Sequence, residues 1–197
     1  MAGLARPAWL ALALSGCQLT PPLPPSAAPV LPVGENWRAI ASPADADRIA
    51  RLDAAWEAVR PGAQPVLGRA AAVSWPAPSP GSYRCRVWRL GEGRAPRRFP
   101  AQYCHVGVED ALLSFAKQTG DERWAGYFYL DGERRMIFLG ANAVGGTAPG
   151  YGADTTRDVA GVVERVGPLR YRILIPWPRG GGALDILELV PVAPALD

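Results

Sequence analysis

From residue 82 to residue 191 the chain is a succession of short apolar or alternating runs, each closed by a tight-turn signal. That punctuation restricts the fold more than any other feature. Candidate strands cover 82–90, 101–108, 111–117, 123–130, 135–141, 159–166, 169–177 and 184–191. In "YLDGERR" the pair Asp131-Gly132 sits between two aromatic or aliphatic runs, a strong hairpin signal. "RVGPLR" turns at Gly167-Pro168, and "PRGGGA" turns at Gly180 to Gly182. Consecutive strands joined by short turns pair antiparallel. About eight of them predict a mainly β fold, an antiparallel meander closing into a small barrel or a sandwich.

The alternation says which faces are covered. In "RWAGYFYL", Trp124, Phe128 and Leu130 share one face, and Tyr127 and Tyr129 take the other. In "RMIFLG", Met136 and Phe138 oppose Ile137 and Leu139. In "LRYRILIPW", Leu169, Tyr171, Ile173, Ile175 and Trp177 oppose Arg170 and Arg172. Strands apolar on both faces sit beneath a cover, and strands with an arginine face are expected to meet water.

The cover is expected to be one amphipathic helix over 43–60. Ser42 is a candidate N-cap, Pro43 fits the first helical position, and Asp45 completes a Ser-x-x-Asp box. Ile49, Leu52, Trp56 and Val59 then fall on one stripe, and Pro61-Gly62 should end the helix.

The amino terminus carries the signature of export. Arg6 precedes a short apolar run, Ala8 to Leu14, and Leu14-Ser15-Gly16-Cys17 follows. "LSGC" in that position resembles a bacterial lipobox. The resemblance implies that residues 1–16 are a lipoprotein signal peptide and that Cys17 becomes the lipid anchor. Gln18 in place of an aspartate resembles the default sorting to the outer membrane. Residues 18–35, "QLTPPLPPSAAPVLPVGE", contain six prolines. Such a segment extends at about 3.1 Å per residue, so 17–36 reads as a tether for a single β-rich domain over 37–197. No segment reaches the roughly 18–20 apolar residues that span a membrane as a helix.

With Cys17 assigned to lipid, Cys85 and Cys104 remain as a pair in an oxidising compartment. "YRCRV" puts Cys85 on a face with Tyr83 and Val87, and "YCHV" puts Cys104 on a face with Val106. A bridge between the two strands is expected, with two separate buried thiols as the alternative. A redox site is disfavoured, because no Cys-x-x-Cys spacing occurs.

Catalytic apparatus is sparse. His105 is the sole histidine, so no multi-histidine metal site exists, and it points away from its neighbour Cys104 in a strand. There is no Gly-x-Ser-x-Gly elbow, no phosphate-cradling loop and no cofactor-binding motif. The net charge of +3 on 197 residues gives no nucleic-acid footprint. Two groups remain as weak candidates. The long connection 142–158 ends in "GYGADTTRD", which gathers Tyr151, Asp154, Arg157 and Asp158; these form a small polar site or merely pin a loop. "GEGRAPRRF" gathers Arg94, Arg97 and Arg98 in a loop that either meets an acidic partner or is simply solvated.

The stretches "GSYRCRV", "QTGDERWAGYFYLDGERRMIFLGA", "YGADTTRDVAGVVERVG", "ILIPWP" and "LDILELVP" are similar to domain-of-unknown-function family 4893 of bacterial envelope proteins. The resemblance implies no activity, cofactor or catalytic residue. More remotely, a small exported barrel with one early disulfide resembles metalloprotease inhibitors and lipocalin-type barrels, a likeness of fold alone. The expected function is a membrane-anchored periplasmic protein, non-enzymatic, binding a small ligand or an envelope protein. The alternatives are an envelope enzyme built on Asp154, Arg157 and Asp158, or a purely structural spacer. A deep apolar cavity beside 142–158 would favour ligand binding, and a filled barrel would argue against it.

Overall fold

The computed structural model describes residues 36–63, 72–143 and 145–192. The expected lipid anchor Cys17, the leader over 1–16 and, apart from Asn36, the tether over 17–36 lie outside the described residues. Nine strands form one antiparallel sheet: β1 (Gly81–Leu90), β2 (Arg97–Arg98), β3 (Gln102–Glu109), β4 (Leu112–Lys117), β5 (Arg123–Leu130), β6 (Arg135–Ala143), β7 (Asp158–Gly167), β8 (Arg170–Pro176) and β9 (Leu184–Pro191). β3 to β9 follow one another as a meander, and β9 pairs back onto β1 from Tyr83↔Pro191 to Leu90↔Leu184. The eight long strands therefore close into a barrel rather than a sandwich, and β2 is an extra strand beside the end of β1.

Closure turns the alternation of each strand into inside and outside. Inside lie Tyr83, Cys85, Val87, Cys104, Val106, Phe115, Phe128, Met136, Phe138, Val163, Ile173 and Leu187, all buried. Phe115, Phe128 and Phe138 form a three-ring cluster with centroids 5.4 to 5.7 Å apart, within the range of favourable aromatic packing. These side chains pack against one another and fill the interior between the strands. Gly126 and Gly140 face each other across β5 and β6, and a Cβ on Gly140 would stand 2.5 Å from the Phe138 ring. Gly140 leaves that ring its place, and a Cβ on Gly126 would strike the β6 backbone at Leu139 and Gly140.

The outer face of β6 to β9 is covered by three short helices. α1 (Trp37–Ile40) was not anticipated; Asn36 caps it by accepting from the Arg38 N–H. The expected helix over 43–60 is two helices, α2 (Pro43–Ala50) and α3 (Leu52–Ala63), interrupted at Arg51, whose backbone leaves the helical region. Ser42 caps α2 as the sequence implied, and α3 runs two residues beyond Pro61, a shift within ordinary boundary scatter. The stripe of Ile49, Leu52, Trp56 and Val59 is buried against Ile137, Leu139, Val162, Leu174 and Ile186.

Three face assignments change. Arg172 does not meet water: it is 6% exposed, donates to Glu164 at 2.7 Å and lies 5.5 Å from the Trp56 ring. A buried guanidinium with a carboxylate partner lets an arginine face lie beneath a helix. Leu169 and Trp177 leave the interior face because both adopt positive φ, 51° and 43°, at the two ends of β8. "GEGRAPRRF" is not only a loop: Arg97 and Arg98 form β2, and Arg98 stacks 5.3 Å from the Trp88 ring.

Cys85 and Cys104 are joined by a disulfide inside the barrel. The bridge ties β1 to β3 and closes a loop whose ends are 19 residues apart, a length for which the chain-entropy effect is about 3 kcal/mol. Replacing both cysteines by alanine should lower the unfolding free energy by about that amount in urea titrations. Reduction of unfolded wild type should add two hydrogens to the intact mass, and an unchanged mass would rule the bridge out.

Candidate functional site

One rim of the barrel is formed by the starts of β5, β7 and β9 and the ends of β1, β6 and β8; it is called the upper rim below. A cleft of about 120 Å3 opens there, bounded by the end of the 142–158 connection, by Pro178 to Gly180 and by Arg48 of α2. Since about 10–15 Å3 of such space holds one water, it admits a ligand of several heavy atoms.

The floor is a charged plug. Arg89 and Asp185 stand opposite each other where β1 meets β9, and the guanidinium grips the carboxylate at 2.7 and 2.9 Å. Asp185 is fully buried, and its hydrogen bonds hold the Arg89 guanidinium charged more firmly than usual. Arg89 also reaches Glu122 at 3.3 Å and the Gly180 carbonyl at 3.3 Å. A Cβ on Gly180 would come within 2.8 Å of the Arg89 guanidinium, so a side chain there would have to displace the arginine that fills the plug.

The mouth carries Arg48, Arg157 and Arg179. Arg48 is bound by Asp45 and donates to the Trp177 carbonyl at 3.3 Å. Burial first, and then the neighbouring Arg179 charge, push the Arg48 pKa down, against Tyr151 and Asp158, which oppose that shift. Arg179 donates through Nε to the Asp158 carbonyl at 3.2 Å and forms no ion pair among the described residues. The carboxylate of Asp158 is 1% exposed; Oδ1 accepts from the Gly152 N–H at 2.9 Å, while Oδ2 has no hydrogen-bond partner among the described residues. Buried carboxylate oxygens normally have a donor.

The four sequence candidates are therefore divided. Arg157 and Asp158 line the cleft. Tyr151 does not; its hydroxyl donates to Asp45 at 2.5 Å and accepts from the Ser42 N–H at 2.9 Å, fastening the connection to the start of α2. Asp154 is exposed, caps Thr156 and pairs with Arg157 at 3.0 Å. Among the described residues Asp154 and Asp158 share no hydrogen-bond or ion-pair partner. His105 is exposed on the outer face of β3, opposite Cys104. Among the described residues no group of histidine, cysteine or acidic side chains has the arrangement of a metal site.

Sequence reasoning missed Arg48, Arg89, Arg179 and Asp185. Asp185 was the one legible exception to pattern, an acid at the start of the apolar run "LDILELVP".

The chain matches the family model of a domain of unknown function, DUF4893, over residues 37–189. It belongs to this family. The match spans the helical cover, the barrel and every residue of the cleft. No curated protein and no solved structure matches the chain.

Beside the cleft, Lys117 is buried, donates to the carbonyls of Thr119 and Glu122 and lies 5.7 Å from the Trp124 ring. Burial lowers its pKa to about 8, against the partial opposition of Glu122 and Asp121. An unfolded lysine titrates near 10.4. Between the two values the unfolded chain holds a proton that the folded chain has released, so stability gains from rising pH. The melting temperature of wild type relative to Lys117→Met should therefore increase between about pH 8 and about pH 10. A difference independent of pH would contradict the burial of this charge.

Proposed function

We propose that the protein is a lipid-anchored periplasmic protein whose barrel is a non-enzymatic binding module, and that its ligand sits in the upper-rim cleft. The lipobox-like "LSGC" and the proline-rich stretch after it support the anchor. The cleft supports the binding role: three guanidiniums at the mouth beside a buried carboxylate oxygen that has no donor. That combination suits a small compound with an anionic oxygen group and an adjacent hydrogen-bond donor. The filled interior directs the reading to a polar ligand held at the rim, away from a lipocalin-like apolar one. The separation of Asp154 from Asp158 leaves the rival enzyme reading without its pair of carboxylates.

Two measurements test the two halves. Cells given a fatty-acid probe should label wild type and leave Cys17→Ala unlabelled; equal labelling refutes the anchor. For the cleft, calorimetric titration with inorganic phosphate and with glycine as probes should show binding that weakens about tenfold in Arg179→Gln, the loss of one charge-assisted hydrogen bond. Binding unchanged by that substitution, or absent for both probes, refutes the cleft as the site.

A further inference from the structure

The rim opposite the cleft carries the turns β3–β4, β5–β6 and β7–β8 and the start of β1. It is the lower rim, and its chemistry is different. Trp75 is 78% exposed, Leu169 60% and Leu130 38%. Trp75 is not a loose tip. Its N–H donates to the Glu133 carbonyl at 3.2 Å, the Val73 N–H donates to the Arg165 carbonyl at 2.9 Å, and Arg165 reaches the Ser74 carbonyl. Trp75 and Leu169 both hold positive φ, 62° and 51°, a costly conformation for large side chains that the surrounding bonds maintain. The result is an indole and a leucine side chain held out into solvent by fixed backbone.

Arginines surround them. Arg134 is exposed, the Arg170 side chain is 63% exposed, and Arg165 lies beside the Trp75 segment. The acids on this side are largely engaged: Asp131 accepts from Trp37, Arg38 and Arg135, and Glu188 faces Arg170 at 4.0 Å and Trp88 at 2.8 Å. Glu133 is exposed. Next to the β5–β6 turn along the rim, the β3–β4 turn carries Glu109 and Asp110, and Glu109 is engaged by the Tyr127 hydroxyl of β5 at 2.8 Å, so the basic and apolar sector is centred on the β7–β8 side.

The described chain also enters the domain here. Trp37 donates through its indole N–H to Asp131 in the β5–β6 turn at 3.0 Å, and Arg38 pairs with the same carboxylate at 3.2 Å. Trp37 and Arg38, at the amino-terminal edge of the described residues, therefore sit at the lower rim.

We propose that the β5–β8 side of the lower rim is a seat for an anionic phospholipid surface, with Trp75, Leu130 and Leu169 entering the headgroup boundary and Arg134, Arg165 and Arg170 meeting phosphates. A tryptophan suits that boundary because its ring is apolar and its N–H is wet. Guanidiniums pair with phosphate oxygens bidentately. The seat rests on the anchor reading, since lipid on Cys17 is what brings this rim to a membrane, and it leaves the upper-rim cleft facing away from the bilayer.

The test uses the full mature chain, acylated in cells and reconstituted into phosphatidylglycerol vesicles doped with brominated lipid. Tryptophan emission should be quenched, and Trp75→Phe should remove most of that quenching. Arg134→Glu with Arg170→Glu should reduce it at least twofold, and so should vesicles of phosphatidylcholine alone. Equal quenching in wild type and Trp75→Phe overturns the seat while flotation with the vesicles upholds the anchor. Failure of wild type to float overturns both. Concentration-dependent dimerisation abolished by Leu169→Asp, without Trp75-dependent quenching, would assign the surface to a second copy and overturn the seat.

Discussion

The pairing of β9 with β1 is the constraint on which the other features depend. Until that seam forms, the meander is an open sheet with two free edges, and neither face is obliged to be the inside. Once Tyr83 to Leu90 register with Pro191 to Leu184, every strand has an interior parity, and Tyr83, Phe115, Trp124, Phe128, Phe138 and Tyr171 fall on it. The same register puts Arg89 directly opposite Asp185. A carboxylate buried without a partner would oppose folding by several kcal/mol, as would a guanidinium alone. Neither can be buried without the other, so the seam and its charged plug form together. The disulfide works on the other side of β1, holding it to β3, so β1 is fastened along both edges.

The helical cover depends on the barrel in turn. α2 and α3 are each too short to persist alone in water. Their shared stripe becomes stable by burial on β6 to β9, and a few polar contacts set where it lands. Asp45 is the most connected of these. It is fully buried, accepts from Ser42 Oγ and Tyr151, and binds Arg48. One carboxylate thus holds the capping serine of α2, fastens the 142–158 connection and binds the arginine at the cleft. At the other end, Asp131 holds Trp37 and Arg38. Burial alone would raise its pKa, but the indole N–H, Arg135 and Arg38 outweigh that and hold it below the usual carboxylate range. The cover is pinned at both rims by acids.

How much of this was legible in the sequence follows from the range of each interaction. The strands, their turns and the two-faced alternation were legible because they are local: Met136 and Phe138 do face the interior, and Ile137 and Leu139 do face the helices. The disulfide was legible because Cys85 and Cys104 lay on neighbouring strands of matching parity. The helical stripe was legible, though not its break at Arg51. What failed was pairing between distant residues. Arg172 reads as a wet residue until Glu164 and Trp56 are known to meet it. Tyr151 and Asp158 are seven positions apart in one polar segment, yet one fastens α2 and the other lines the cleft. Arg89 and Arg179 look like ordinary surface charges, and the acid at Asp185 stands out in its apolar run without naming a partner, because only closure brings the three to one rim.

A filled barrel also limits where function can lie. With the interior occupied by aromatic and aliphatic side chains, chemistry is confined to the two ends and the outer wall, and most of one side of that wall is under helices. The ends are built in opposite senses. The upper rim buries its charges and encloses a small polar space, while the lower rim pushes apolar side chains outward among arginines. A chain optimised only for stability would have no reason to hold Trp75 and Leu169 at positive φ in solvent, because both the conformation and the exposure oppose folding. Strain maintained at one end and an unsatisfied buried carboxylate at the other are costs that the barrel's own packing does not require.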